Sequence, residues 1–199
     1  DDFIACVPLA REWDKRGLAV PLILERDEFV RTLDVFPLEY GEIIDNHVPI
    51  YGEDPFDGLQ VADADRRRAC ELQAKSHLIH LREGFLEARG EPRAIASLIA
   101  ASGDGYRRLL INLLALVAPT GRHIDDLEGE AERRLGVPAA LTHDVLTAHR
   151  ASTIADPTAL MARYVTAIES IWEFVDAWKL RCVSLRQGSG CGSRGCWGR

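Results

Sequence analysis

The sequence predicts an α+β chain that is mostly α. A residual sheet edge within residues 1–60 precedes an antiparallel helical bundle over 61–183, and a Gly/Arg/Cys tail closes the chain at 184–199. Three observations predict this. Residues 33–56 hold most of the strand-like composition, ending in a Tyr-Gly-Glu-Asp-Pro-Phe turn. From Asp63 onward the apolar period becomes helical: Cys70, Ala74, Leu78, Leu81, Phe85 and Ala88 recur at spacings of three and four. Short connections between successive amphipathic segments then imply antiparallel neighbours, hence a bundle.

Residues 4–16 read as an amphipathic helix, with Val7, Leu9, Ala10 and Trp13 among charged neighbours, and Gly17 is suited to a left-handed terminus. Residues 19–24 form an apolar run of strand length. Asp27 is placed to cap a short helix that turns Phe29 and Val30 inward. In 34–44, Val35, Phe36, Leu38, Tyr40, Ile43 and Ile44 alternate imperfectly with Asp34, Glu39 and Glu42, which predicts a strand. Pro37 confines it to a sheet edge or a strand start. Asp45-Asn46 is turn chemistry, and residues 47–51 are expected to pair back as a second short strand. Pro55 keeps Asp54 out of the helical well.

The bundle begins with a helix capped at Asp63 or Asp65 and ended by Gly90. Pro92 opens a helix running to Ala101, and a separate, strongly apolar helix starts at Tyr106 and breaks at Pro119 and Gly121. Helices around 125–135 and 139–149 follow, and a long one starts at Pro157 behind Asp156. Its inward face carries Leu160, Tyr164, Ile168, Ile171, Val175 and Trp178. Residues 187–199 lack the apolar content to order themselves, so disorder is expected there.

Composition is globular, 47% hydrophobic and 28% charged, with a net charge of −7. Residues 181–199 hold four arginines and no acid, so the rest stands at −11, the −7 of the whole less those four. A body that acidic is a poor non-specific ligand for nucleic acid, whose phosphates need clustered cations. Five cysteines without paired spacing do not describe a disulfide framework, and a reducing cytoplasmic location is expected. No apolar run is long enough for a membrane span, and no basic, apolar leader opens the chain.

Glu39, Asp34 and Glu42 are the carboxylates embedded in the strand-like stretch. A two-metal phosphoryl-transfer site brings carboxylates together around ions about 3.5–4 Å apart. Glu39, between Leu38 and Tyr40, is the first candidate for such a ligand and for catalysis, and Asp34 the second. On the first long helix His77 and His80 share a face, and with Arg82 they form the candidate substrate-binding group. The 66–68 arginine run reads as a solvated surface. His47, His123, His143 and His149 look isolated, and no phosphate-binding glycine loop or His-Glu-x-x-His occurs.

The segments DVFPLEYGEI, HVPIYGEDPFDGL and RRACELQAKSHLIHLREGFLE resemble the middle and C-terminal parts of bacterial minimal nucleotidyltransferase-domain proteins of the polymerase-beta-like superfamily. The resemblance covers about residues 13–178 and is most specific over 33–87. It implies an α/β catalytic domain joined to a helical bundle, and Mg2+-dependent transfer of a nucleoside monophosphate from an NTP to an unidentified acceptor. By motif position Glu39 corresponds to the third carboxylate. The family's Gly-Ser loop and Asp-x-Asp strand are not found, so the chain is expected to be truncated and inactive alone. A truncated sheet edge would also favour a homodimer. The alternative is a helical protein–protein interaction or antitoxin-like module without catalysis.

Overall fold

Burial of an apolar stripe orders the bundle. The computed structural model describes residues 2–117, 124–150 and 154–188. Helix α5 (Asp63–Glu87) buries Cys70, Ala74, Leu78 and Leu81, the stripe expected from the sequence. Asp63 and Asp65 occupy its first turn, where the helix dipole favours anions. The chain leaves through Arg89 and Gly90, both at positive φ.

Helix α6 (Pro92–Val117) is one continuous helix where two were expected. The glycines between the two expected segments, Gly103 and Gly105, serve close approach. A Cβ on Gly103 would lie 3.4 Å from the Val145 carbonyl oxygen, and one on Gly105 would lie 3.4 Å from Nδ1 of His77. The helical cost of each glycine, about 1 kcal/mol against alanine, is offset by neighbouring burial. Ile95, Ile99, Tyr106, Leu109, Leu110, Leu113 and Leu114 are all inside, and each aliphatic side chain contributes about 1.5–3 kcal/mol.

Three further helices complete the bundle. In α7 (Leu127–Leu135) the Asp126 carboxylate accepts from the Gly129 N–H at 2.8 Å, and Gly136, at φ 71°, terminates the helix. Helix α8 is Ala139–Thr147. Helix α9 (Pro157–Gly188) starts as expected, with Asp156 accepting from the Ala159 N–H at 2.9 Å. It extends to Gly188, past the expected bundle boundary at 183. Residues 189–199 of the expected tail, and the break expected at Pro119 and Gly121, lie outside the described residues. Helices α5, α8 and α9 pack around α6.

The expected sheet edge is not there. Among the described residues no strand occurs, and residues 1–60 supply α1 (Asp2–Ala5), α2 (Val7–Lys15), α3 (Arg26–Arg31) and α4 (Pro37–Asn46). The imperfect alternation in 34–44 was a helical period: Pro37, Tyr40 and Gly41 are buried at i, i+3 and i+4, and Pro37 is the first helical residue. Residues 19–24 and 47–51 form no regular element. The self-association expected from an open strand edge therefore loses its basis.

Helix α4 docks on α5 where Gly41 faces the Arg66 guanidinium; a Cβ there would come within 2.9 Å of it. Phe29 of α3 stacks on Tyr40 with centroids 4.2 Å apart and meets Phe56 at 4.8 Å. Helix α2 buries none of its residues.

Candidate functional site

The three carboxylates weighed for a single metal ligand all lie in solvent. Glu39 lies in the first turn of α4 and is exposed, Asp34 is exposed in the preceding turn, and Glu42 is exposed on α4. The sequence placed Glu39 among apolar neighbours. On a helix, Leu38 and Tyr40 lie about 100° to either side of it and turn inward without it. Among the described residues, no three His, Cys, Asp or Glu side chains are grouped to hold a metal ion. The described residues alone therefore do not build the Mg2+ centre that the resemblance implies, to which Glu39, or after it Asp34, was expected to supply one ligand.

The second candidate group is partly assembled. His77 and His80 line a recess of about 310 Å³ between α5 and α6, with Leu81, Leu98, Ala101, Ser102 and Gly105. Arg82 turns away from it and forms an ion pair with Glu169 of α9. Behind the recess, Nε2 of His77 lies 2.6 Å from the Tyr164 hydroxyl. The Tyr106 ring is 6.3 Å from the imidazole and 5.0 Å from Tyr164, and its hydroxyl is 3.2 Å from Oγ1 of buried Thr142.

Burial decides the protonation of this group. It holds the imidazole neutral, lowering the pKa of His77 from 6.5 to about 4, and His80 adds to the effect. Burial also pushes the Tyr106 phenol up to about 12 against the Thr142 bond, and raises Tyr164 above its ordinary value. Tyr106 and Tyr164 are fully buried and do not line the recess, so of this group only the neutral His77 meets a ligand there. Held neutral, His77 offers a triphosphate no fixed cation.

The remaining candidates are structural. Arg66 pairs with Asp45 at 3.4 Å, Arg67 with Glu71 at 2.8 Å and Arg68 with Asp65 at 3.4 Å, which occupies the basic run. Lys75 lies 3.8 Å over the Trp172 ring. Burial pushes the Cys70 thiol up to about 12, so it is an inert core group.

Sequence reasoning missed Tyr106 and Tyr164, which joined the apolar stripes as bulk, and did not single out Thr142. Their signal was the hydroxyl, which needs a partner once buried. It also misread His47, which is not isolated: Asp54 lies against its Nε2 at 2.8 Å.

No helix among the described residues is long and apolar enough to cross a membrane. No family model matches the chain, and no curated protein or solved structure matches it significantly.

Proposed function

We propose that the chain is the helical binding module of a nucleotidyltransferase-like protein, with the transfer chemistry supplied by an α/β body that docks on residues 4–51. One observation carries this reading. Residues 4–51 leave Ile4, Val7, Leu18, Val20, Leu22 and Ile50 among many apolar side chains in solvent, whereas the longer bundle exposes Leu72, Ile79, Leu86 and Ile111. Apolar surface concentrated on one segment marks an interface. The resemblance over residues 33–87 supplies the kind of body that would cover it. On this reading Mg2+ and the NTP belong to that body, and the His77 recess is open to the acceptor.

Two measurements test the reading. An α/β nucleotidyltransferase domain from the same genomic locus, bearing a Gly-Ser loop and an Asp-x-Asp strand, should co-elute with the chain. Substituting Leu22→Asp with Ile50→Asp should abolish that association and leave the melting of the bundle unchanged. Mg2+ with ATP should leave the melting temperature of the chain alone unaltered. A rise in melting temperature that Glu39→Gln removes would restore the metal site and overturn the reading.

A further inference from the structure

The ring of His47 is gripped at both nitrogens by oxygens that only accept. Nδ1 lies 2.9 Å from the Ile44 carbonyl, and Nε2 lies 2.8 Å from a carboxylate oxygen of Asp54. A neutral imidazole has one N–H, so one of these contacts would set a nitrogen lone pair against oxygen; the imidazolium donates to both. The same Asp54 oxygen accepts the Phe56 N–H at 2.8 Å, and the Phe56 ring meets the imidazole edge-on at 4.8 Å.

This contact closes a loop. Its two ends are fixed independently: Arg66 of α5 pairs with Asp45 at the end of α4, and Arg26 of α3 donates to the Pro55 carbonyl at 3.1 Å. Asp54 is the charged group in contact with the ring. Between the ends, residues 48–53 make no hydrogen bond to the rest of the described chain. They hold Ile50 and Tyr51 almost fully in solvent, at 97% and 98% exposure.

We propose that His47 and Asp54 form a proton-operated clasp: protonated His47 holds the 47–56 loop closed with Ile50 and Tyr51 displayed, and loss of the proton releases the loop. The titration directions agree with this geometry. The Ile44 carbonyl first, and then Asp54, raise the pKa of His47 above 6.5, while the Phe56 N–H and then His47 lower that of Asp54. Because the folded pKa is raised, the closed form is fully favoured below 6.5 and is lost as pH rises through the higher folded value. The loop overlaps the segment proposed above to dock, yet the clasp does not depend on that docking.

The test is nuclear magnetic resonance on the full chain over roughly pH 5 to 9, the range in which a histidine switches. The His47 ring signals give its pKa, and backbone order parameters of residues 49–52 report loop mobility. The clasp requires a His47 pKa above 6.5 and order parameters that fall in step with its titration. His47→Gln, with one donor group in place of two opposed ones, should hold the loop mobile at every pH. Asp54→Asn should return the His47 pKa toward 6.5. A His47 pKa at or below 6.5, or order parameters that ignore pH in the unaltered chain, would overturn the proposal. Neither result bears on whether an α/β body docks, which co-elution decides separately.

Discussion

Acid should destabilise the bundle through His77. In the folded chain its pKa is about 4, against 6.5 for an exposed imidazole. Below 6.5 the unfolded chain takes up a proton that the folded chain refuses, so stability falls as pH drops toward 4 and then levels. At 1.36 kcal/mol per pH unit, this gap comes to about 3 kcal/mol. That is a large share of the 5–15 kcal/mol typical of a domain. The groups around the ring (Tyr164, Tyr106, Ser102 and His80) include no carboxylate that would welcome the proton. The assay is urea unfolding followed by circular dichroism, repeated from pH 7 to 4. The control is His77→Gln, whose amide oxygen can accept from the Tyr164 hydroxyl and does not titrate. The variant should lose about 3 kcal/mol less than the parent chain across that range. His47, with its raised pKa, runs the other way and favours the folded state at low pH, so it cannot mimic the effect. Parallel pH profiles for the two chains, or a His77 imidazole that titrates near 6.5, would refute the reasoning.

Other changes probe the packing. Thr142→Val removes the partner of the buried Tyr106 hydroxyl and should cost about 1–3 kcal/mol. Adding Tyr106→Phe should recover part of that loss, a coupling that a double-mutant cycle measures by urea unfolding. Leu110→Ala, at a fully buried position in α6, should cost about 2–5 kcal/mol in the same assay. Asp126→Ala deletes the cap of α7 and should cost about 0.5–2 kcal/mol, seen as a lower melting temperature. Tyr51→Ser, at an exposed position, should change stability by less than about 0.5 kcal/mol.

Much of the bundle was legible because its signals are local. The stripe Cys70, Ala74, Leu78, Leu81 repeats at helical spacing, and Asp156 marks a helix start by backbone chemistry that needs no distant partner. Residues 34–44 misled for the opposite reason. A short apolar run containing Pro37 is compatible with an edge strand or with a helix opening on proline. Only the docking of Gly41 and Tyr40 against α5 and Phe29 selects the helix. The continuity of α6 is likewise tertiary, since α8 packs closely at Gly103 and α5 at Gly105.

The candidate site divides along the same line. The sequence by itself determined that His77 and His80 share a face, since three residues on a helix bring side chains together whatever surrounds them. It also determined that residues 63–117 would bury a helical core. Tertiary structure alone decided that Glu39 faces solvent, that Arg82 pairs with Glu169, and that Tyr164, eighty-seven positions from His77, touches its ring. Spacing fixes neighbours within one helix. Which helix lies opposite, and hence which charge is paired or which proton excluded, is settled by packing between segments distant in sequence.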